Sequence, residues 1–317
     1  MQRVLSIIFY PLIAVVAVLL KILPKRPYHY YPILDKLFVR VGVYPILNHF
    51  YTPFVIPGKD FNEEKYRQPR HLPAVDLNGK EQLILLNSFS FKKDLLALDA
   101  ATTADITSYS FTNDTFAGGD GEMYYNMICH FKPKRIIEIG SGHSTKLAWA
   151  TIKNIQKKDT AYQCALTSIE PFSNPWLEQI GAEIIRRKVE DIDVTYFESL
   201  VENDILFIDS SHVIRPEGDV LFEYLNLLPA LKKGVVIHIH DIFTPFHYPL
   251  EWIKERRLWH EQYLLEGFLS YNEHFKIVLS NPYLGNFHTE AFMQACPILT
   301  KNKSDNYGSS IWLQKVR

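Results

Sequence analysis

The chain has 317 residues, 47% of them hydrophobic and 14% aromatic, enough for one large domain with a full core, or one domain plus a smaller appendage. Its formal net charge is −1 and no basic stripe interleaved with aromatics occurs, so nothing favours a nucleic-acid partner. The three cysteines, Cys129, Cys164 and Cys296, form no CxxC pair and no disulfide framework, which fits a reducing compartment.

In chain order, the first predicted element is a hydrophobic segment. Residues 4–20 carry no charge, and Ile22 and Leu23 extend the run past Lys21. About twenty apolar residues can span a bilayer, although Pro11 would kink the helix. Arg3 lies on one side and Lys21, Lys25 and Arg26 on the other, which by the positive-inside rule leaves the bulk of the chain on the cytoplasmic face. No small-residue cleavage site argues for a removable leader. The expectation is a membrane-anchor segment over residues 1–26, with residues 4–23 in the membrane. A helix buried in a soluble cytoplasmic protein is the alternative.

Residues 27–118 read as an N-terminal extension or cap. Stretches such as "YHYYPILDKLF" and "NHFYTPFVIPG" are rich in proline and aromatics, and a helix is predicted over residues 92–100. A further helix over 121–131 leads into Lys132 and Pro133. From Arg135, short apolar runs alternate with helical segments, the pattern of βαβ units. Strands are predicted at 135–139, 165–169, 183–186, 205–208, 235–240, 275–279 and 310–316. Helices are predicted at 144–155, 175–179, 195–200, 219–231 and 251–271. Seven strands, two of them late, define an α/β fold: a doubly wound, mostly parallel sheet over residues 119–317 with an antiparallel edge.

The stretch "RIIEIGSGHSTKLAWA" carries the chemistry. Gly140-Ser141-Gly142 follows a strand and precedes a helix, a place where backbone approaches a ligand and unpaired N–H groups face it. Lys146 is out of place for a P-loop, and Thr145 stands where a dinucleotide fingerprint has its third glycine. Glu138 sits near the end of a buried strand, where an unpaired carboxylate is costly, so it is expected to face a ligand or a donor. Glu170 ends the next strand in "TSIEP", the place from which an acid holds a ribose diol. Two acids and no lysine at the turn suit S-adenosylmethionine, a nucleoside with an ammonium and a sulfonium, better than NAD.

The spacing E-x-G-x-G-x-S/T resembles motif I of class I S-adenosylmethionine-dependent methyltransferases. "KPKRIIEIGSGHST", "SIEPF", "DILFIDSSHV", "LPALKKGVVIHIHDIFTPFHYP" and "WHEQYLLEGFL", with the upstream "NHFYTPF" and "GGDGEMYYNMI", resemble a bacterial branch related to the small-molecule O-methyltransferases. The resemblance covers residues 48–271. It implies a seven-stranded Rossmann-like sheet and a cofactor cradled by Glu138, Gly140, Ser141, Gly142 and Glu170, with Asp209 nearby. The substrate is not implied.

Asp209 ends the fourth strand and Asp241 the fifth. If those strands are neighbours, their tips lie about 5 Å apart. In catechol-type relatives the acids at these tips bind magnesium, which lowers the pKa of a substrate hydroxyl. Here Ile242 follows Asp241 where those relatives carry an asparagine ligand, so Asp209 and Asp241 are metal candidates with one oxygen missing. The histidines offer a second route. His240, or Asp241 itself, is a candidate general base, with His212 and His247 nearby in sequence, and a transition metal is also open to the His/Asp set. His238 is expected to hydrogen-bond in the core. Trp252, Trp259 and Tyr263 are expected as a core stripe on one helix, with Glu261 and Gln262 reaching the acceptor pocket.

The expected activity is methyl transfer from S-adenosylmethionine to a small-molecule or envelope-glycan acceptor, most simply at a hydroxyl. Two rivals are an NAD(P)-dependent oxidoreductase on a similar sheet and a non-catalytic S-adenosylmethionine-binding membrane protein.

Overall fold

The computed structural model describes residues 2–22, 32–46, 53 and 55–317. The chain divides into two units, Met1–Ile56 and Pro57–Arg317. The first holds helices α1 (Gln2–Ile22) and α2 (Pro32–Val41). The apolar run of α1 is helical as expected, and Ile7, Ile8, Leu12 and Ile13 are exposed. The expected membrane span is not supported, however. Pro11 lies inside the helix, and among the described residues no helix is long and apolar enough to cross a membrane. The "NHFYTPF" stretch falls, except for Pro53, outside the described residues.

The second unit opens with α3 (Glu63–Tyr66), α4 (Gly79–Ser88), α5 (Lys92–Ala100) and α6 (Gly119–Phe131). Then come β1 (Arg135–Ile139), α7 (His143–Lys158), β2 (Ala165–Ile169), β3 (Glu183–Ile185), β4 (Ile205–Ile208), α8 (Asp219–Phe222), α9 (Leu228–Ala230) and β5 (Val236–Ile239). The chain ends with α10 (Leu250–Lys254), α11 (Glu261–Leu269), β6 (Phe275–Ser280), α12 (Asn281–Phe287), α13 (Thr289–Ala295), α14 (Pro297–Asn302) and β7 (Ile311–Lys315). The seven strands are ordered β3-β2-β1-β4-β5-β7-β6. β7 is antiparallel to both its neighbours, and the other pairings are parallel.

The central strands are buried on both faces, so they read as mostly apolar runs, broken only by Glu138 in β1 and His238 in β5, as sheets covered by helices on both sides require. Alternation along each strand sends side chains into two cores. Ile136, Leu166, Ile205, Phe207, Val236 and Trp312 pack with Met123, Met127, Leu147 and Ile152 on one face. Ile137, Leu206, Ile208, Ile237 and Leu313 pack with Val220, Tyr224, Leu227 and Leu265 on the other. Residues before α6 belong to the first core: Leu86, Leu95, Tyr109, Phe111 and Phe116 are buried there.

The helices expected at 175–179 and 195–200 are short 3-10 turns, Leu177–Gln179 and Val194–Ser199, and two further predicted elements differ. The helix expected over 251–271 is two helices, α10 and α11, with Arg256 at a positive φ of 64° between them. Tertiary contacts override local propensity here. The His212 carbonyl accepts from the backbone N–H of His260 at 2.9 Å and Glu261 at 3.3 Å, which fixes the start of α11. The 219–231 segment is a helix whose middle, Glu223–Leu227, widens to a π turn, a distortion common at functional sites. Its Glu223 accepts from Ser210 Oγ at 3.0 Å, just past the end of β4.

One buried acid fixes where β1 and β4 begin. Asp204 accepts from the backbone N–H groups of Lys134, Arg135 and Val201 at 2.9–3.0 Å. Asp204→Ala leaves three N–H donors unpaired next to the core, each costing about 1–3 kcal/mol. The expected result is a loss of at least about 3 kcal/mol in chemical denaturation with an unchanged slope. A loss below about 1 kcal/mol would contradict this role.

Candidate active site

The parallel strands bring four carboxyl ends to one edge. Ile139 pairs with Ile169 and Ile208, and Ile208 pairs with Ile239. The residues that follow these ends are Gly140, Glu170, Asp209 and His240.

Gly140 has φ +86°, and a Cβ there would lie 2.2 Å from the Asp209 carbonyl oxygen. Backbone bonds from Gly140 to Ile169 and from Asp209 to Ile139 lock this crossing at 3.0 and 2.9 Å. Gly142 is different: a Cβ there would meet nothing within 4 Å, so the space beside it is open. Thr145, which occupies the place of a third glycine, is buried and accepts from Gly142 N at 3.2 Å. Glu170 is held by the turn it faces. Its Oε2 accepts from Ser141 N and Oγ at 3.2 Å, and its Oε1 from Phe172 N at 2.8 Å. An ionised carboxylate has about four acceptor sites, so capacity remains for a ligand. A cleft of about 370 Å³ lies here, lined by Gly140, Ile169, Glu170, Asp209, Val189 and Glu190. Val189 and Glu190, from a short 3-10 turn after β3, carried no motif that sequence reading could use.

Glu138 is fully buried beneath the turn. Tyr124 donates to its Oε1 at 2.9 Å, and its Oε2 has no hydrogen-bond partner. Burial pushes its carboxyl up to about 7 against the pull of the Thr145, Tyr124 and Ser144 hydroxyls. An orphaned buried acceptor of this kind is where a donor on a ligand would be accommodated.

The second feature is a cluster of acids and imidazoles around the tips of β4 and β5. His212 Nδ1 lies 2.7 Å from Glu261 Oε2, and its Nε2 lies 3.3 Å from Asp209 Oδ1 and 3.7 Å from Asp241 Oδ2. His240 Nδ1 lies 3.6 Å from Asp209 Oδ1 and 3.8 Å from Asp241 Oδ1, and its Nε2 lies 3.4 Å from Asp120 Oδ2. His212 and Asp241 both hold positive φ, 60° and 55°, a strain that in non-glycine residues gathers at functional sites. Burial lowers the His212 imidazole, but Asp209 and Glu261 overcome it and bring it up to about 10. For His240, burial is likewise outweighed by Asp241, Asp209 and Asp120, so it lies well above its usual range. Burial raises the Asp209 carboxyl, yet His240 and His212 hold it far below the usual range, and its exposed third faces the cleft.

Among the described residues, the ion pairs of Asp120, Asp209, Asp241 and Glu261 are all to these two imidazoles. Two imidazoliums among four carboxylates leave an excess of negative charge that favours a cation. Asp209, His240 and Asp241 each offer one ligand atom, all within 4.8 Å of one another. The site thus has the donors for a metal ion, and Asp209 also lines the cleft beside Glu170.

The remaining sequence candidates separate clearly. His238 is a core residue, as expected: it is fully buried, contacts Ser310 Oγ at 2.8 Å and stacks on Phe207 at 4.0 Å. His247 stacks on Tyr66 at 4.4 Å and contacts Tyr263 OH at 3.1 Å, outside the cluster. Trp252 and Trp259 pack edge to face across the helix break, and Trp259 supports the His212 ring at 4.3 Å. Glu261 turns to His212, not to an open pocket. Gln262 accepts from Phe243 N and donates to Phe246 O at 2.7 and 2.8 Å, clamping the loop after Asp241. Asp120 went unrecognised. Its signal was the run of glycines in "GGDG", which marks a backbone in close contact with something.

Residues 137–242, which hold the turn and both tip aspartates, match a methyltransferase-domain family. Over 167 residues, 50% of this chain and 74% of the relative, the chain is 32% identical to an uncharacterized protein of Archaeoglobus fulgidus. Solved structures with some likeness include a magnesium and SAM form of cmcI (15% identity, 69% of this chain and 83% of that one, TM-score 0.31). Another is a Plasmodium falciparum chain described as a protein-L-isoaspartate O-methyltransferase, with S-adenosyl-L-homocysteine (13%, 50% and 83%, TM-score 0.30). At such TM-scores these likenesses carry no weight for function. The strand order, the glycine turn and the acid after β2 define a class I S-adenosylmethionine-dependent methyltransferase. The chain belongs to that methyltransferase family. The oxidoreductase reading is set aside.

Glu138 gives a signed expectation. A carboxyl raised from its ordinary value to about 7 costs nothing while protonated, and the cost grows as pH rises from the ordinary carboxylate range through 7. Above pH 7 it amounts to about 3 kcal/mol. Glu138→Gln keeps an acceptor for Tyr124. In denaturant titrations it should stabilise the ligand-free protein by about 2–3 kcal/mol at pH 8 and by little at pH 5. Equal effects at both pH values would contradict the raised carboxyl.

Proposed function

We propose that this methyltransferase moves the methyl group of S-adenosylmethionine to a hydroxyl oxygen of a small-molecule or glycan acceptor. The observation that carries the reading is the convergence, at one sheet edge, of a cofactor cleft and an anionic cluster that share Asp209.

In this reading Glu170 accepts the two ribose hydroxyls, and its tether to Ser141 and Phe172 keeps it aimed into the cleft. The open space at Gly142 and the N–H groups opening α7 take the amino-acid end of the cofactor. Glu138 steadies the turn from below. Asp209 draws the sulfonium end toward the tips of β4 and β5. Transfer is an in-line displacement: the bond from acceptor oxygen to methyl carbon forms as the carbon–sulfur bond breaks, and the sulfur leaves with both electrons. The protein supplies alignment, a large share of such rate enhancements. The acceptor proton goes to the Asp241 carboxylate, which His240 flanks and whose Oδ1 is held by Ser309 Oγ at 2.8 Å. A divalent cation such as Mg2+, held by Asp209 and Asp241, would lower the acceptor hydroxyl's pKa.

Calorimetric titration tests the cofactor half. S-adenosylmethionine and S-adenosylhomocysteine should bind, NAD should not, and Glu170→Ala should weaken binding at least tenfold. His240→Ala and Asp241→Asn should lower turnover by about a hundredfold or more and leave cofactor affinity within a few fold. Binding of NAD, or loss of cofactor affinity in the His240 variant, would contradict the assignment.

A further inference from the structure

The cation reading above leaves the identity of the ion open, and the donor set narrows it. We propose that the ion held between Asp209 and Asp241 is also bound by His240 Nδ1, so that the site takes a borderline transition-metal ion in preference to magnesium. This rests on the tips of β4 and β5 binding a cation at all.

The His240 ring has little freedom. Its backbone N–H is bonded to Ile208 O at 2.9 Å in the sheet register, and Phe116 packs on the ring at 5.1 Å. One ring nitrogen, Nε2, faces Asp120 Oδ2 at 3.4 Å. Asp120 is itself a fixed acceptor. Ser309 N donates to both its oxygens at 3.0 Å, Asn281 Nδ2 donates at 2.9 Å, and Ser310 Oγ adds another bond. Gly308 permits this approach, since a Cβ there would lie 2.3 Å from Asp120 Oδ1. Nε2 is buried and makes no hydrogen bond, and the fixed Asp120 carboxylate 3.4 Å away favours the hydrogen there by charge. That leaves Nδ1 facing Asp209 and Asp241 at 3.6 and 3.8 Å. Those separations are beyond a good hydrogen bond, but within the roughly 4.2 Å span of two donors each about 2.1 Å from one ion. A carboxylate behind a ligating imidazole is the arrangement that orients such ligands and raises their basicity.

His212 has the other role. Its Nδ1 is committed to Glu261, which Tyr224 OH also bonds at 3.1 Å, and its Nε2 braces Asp241 Oδ2 and, at 3.3 Å, the same Asp209 Oδ1 that faces His240. It positions the carboxylates from outside the trio. Magnesium prefers an all-oxygen octahedron and keeps its waters, whereas an imidazole nitrogen in the set favours ions such as iron, cobalt, nickel or zinc. The ion takes the place of the proton on Nδ1.

The test uses the full chain with S-adenosylhomocysteine. Affinities for Mg2+ and Co2+ are measured by calorimetry in wild type and in His240→Asp. Pulsed electron paramagnetic resonance with Mn2+ as probe then reads directly whether nitrogen couples to the bound ion. The expected results are a preference for Co2+ over Mg2+ of at least a hundredfold, nitrogen coupling in the wild type, and a preference reduced at least tenfold in His240→Asp. Ion binding without nitrogen coupling, or with Mg2+ as tight as Co2+, overturns the role of His240 while leaving a cation at the aspartates. No binding of any ion overturns both. The wild-type resonance measurement decides the matter even if the variant fails to fold.

Discussion

The site is organised by uncompensated negative charge buried at the end of a parallel sheet. Asp120, Asp209, Asp241 and Glu261 surround two imidazoles, and among the described residues no lysine or arginine pairs with them. Such a concentration of carboxylates is costly unless cations share it. Much of the local structure serves that end: the left-handed backbone at His212 and Asp241, the start of α11 docked on the His212 carbonyl, and the serine and asparagine donors gathered on Asp120. The charge suits a cationic cofactor head and a metal ion better than it suits a phosphate-bearing dinucleotide.

The same edge separates two jobs. In the proposed reading the β1–β2 side binds by shape and polarity, through Gly140, Gly142 and a tethered Glu170. The β4–β5 side carries the titrating groups. Asp209 links them because it follows the strand between, lining the cleft on one side and contacting both histidines on the other. Methyl transfer needs nucleophile, carbon and sulfur in line, and a rigid sheet edge with neighbouring loops on adjacent strands is well suited to hold that line.

The sheet was legible because its strands are short apolar runs punctuated by turns; β1, β2 and β4 fall at the residues expected. The positions of Glu138 within β1 and of Glu170, Asp209, His240 and Asp241 just past strand ends were legible for the same reason. What sequence did not reveal depends on contacts distant along the chain. The break between α10 and α11 is imposed by His212, and the pairing of Asp120 with His240 joins residues 120 apart by way of the Gly308 segment. Glu261 was expected inside one helix over 251–271, reaching the acceptor pocket, and its direction toward His212 follows from that break. Helices α12 to α14 lack the periodicity that would have marked them. The apolar N-terminal run was read correctly as a helix, but the bilayer span inferred from its length was not supported.

The most direct measurement is a crystal structure of the full chain with S-adenosylhomocysteine. The ribose hydroxyls should lie on the Glu170 carboxylate, the amino-acid end beside Gly142, and the sulfur should be directed to the ends of β4 and β5 near Asp209 and Asp241. An adenosyl group bound elsewhere, or a sulfur directed away from those aspartates, would contradict this arrangement.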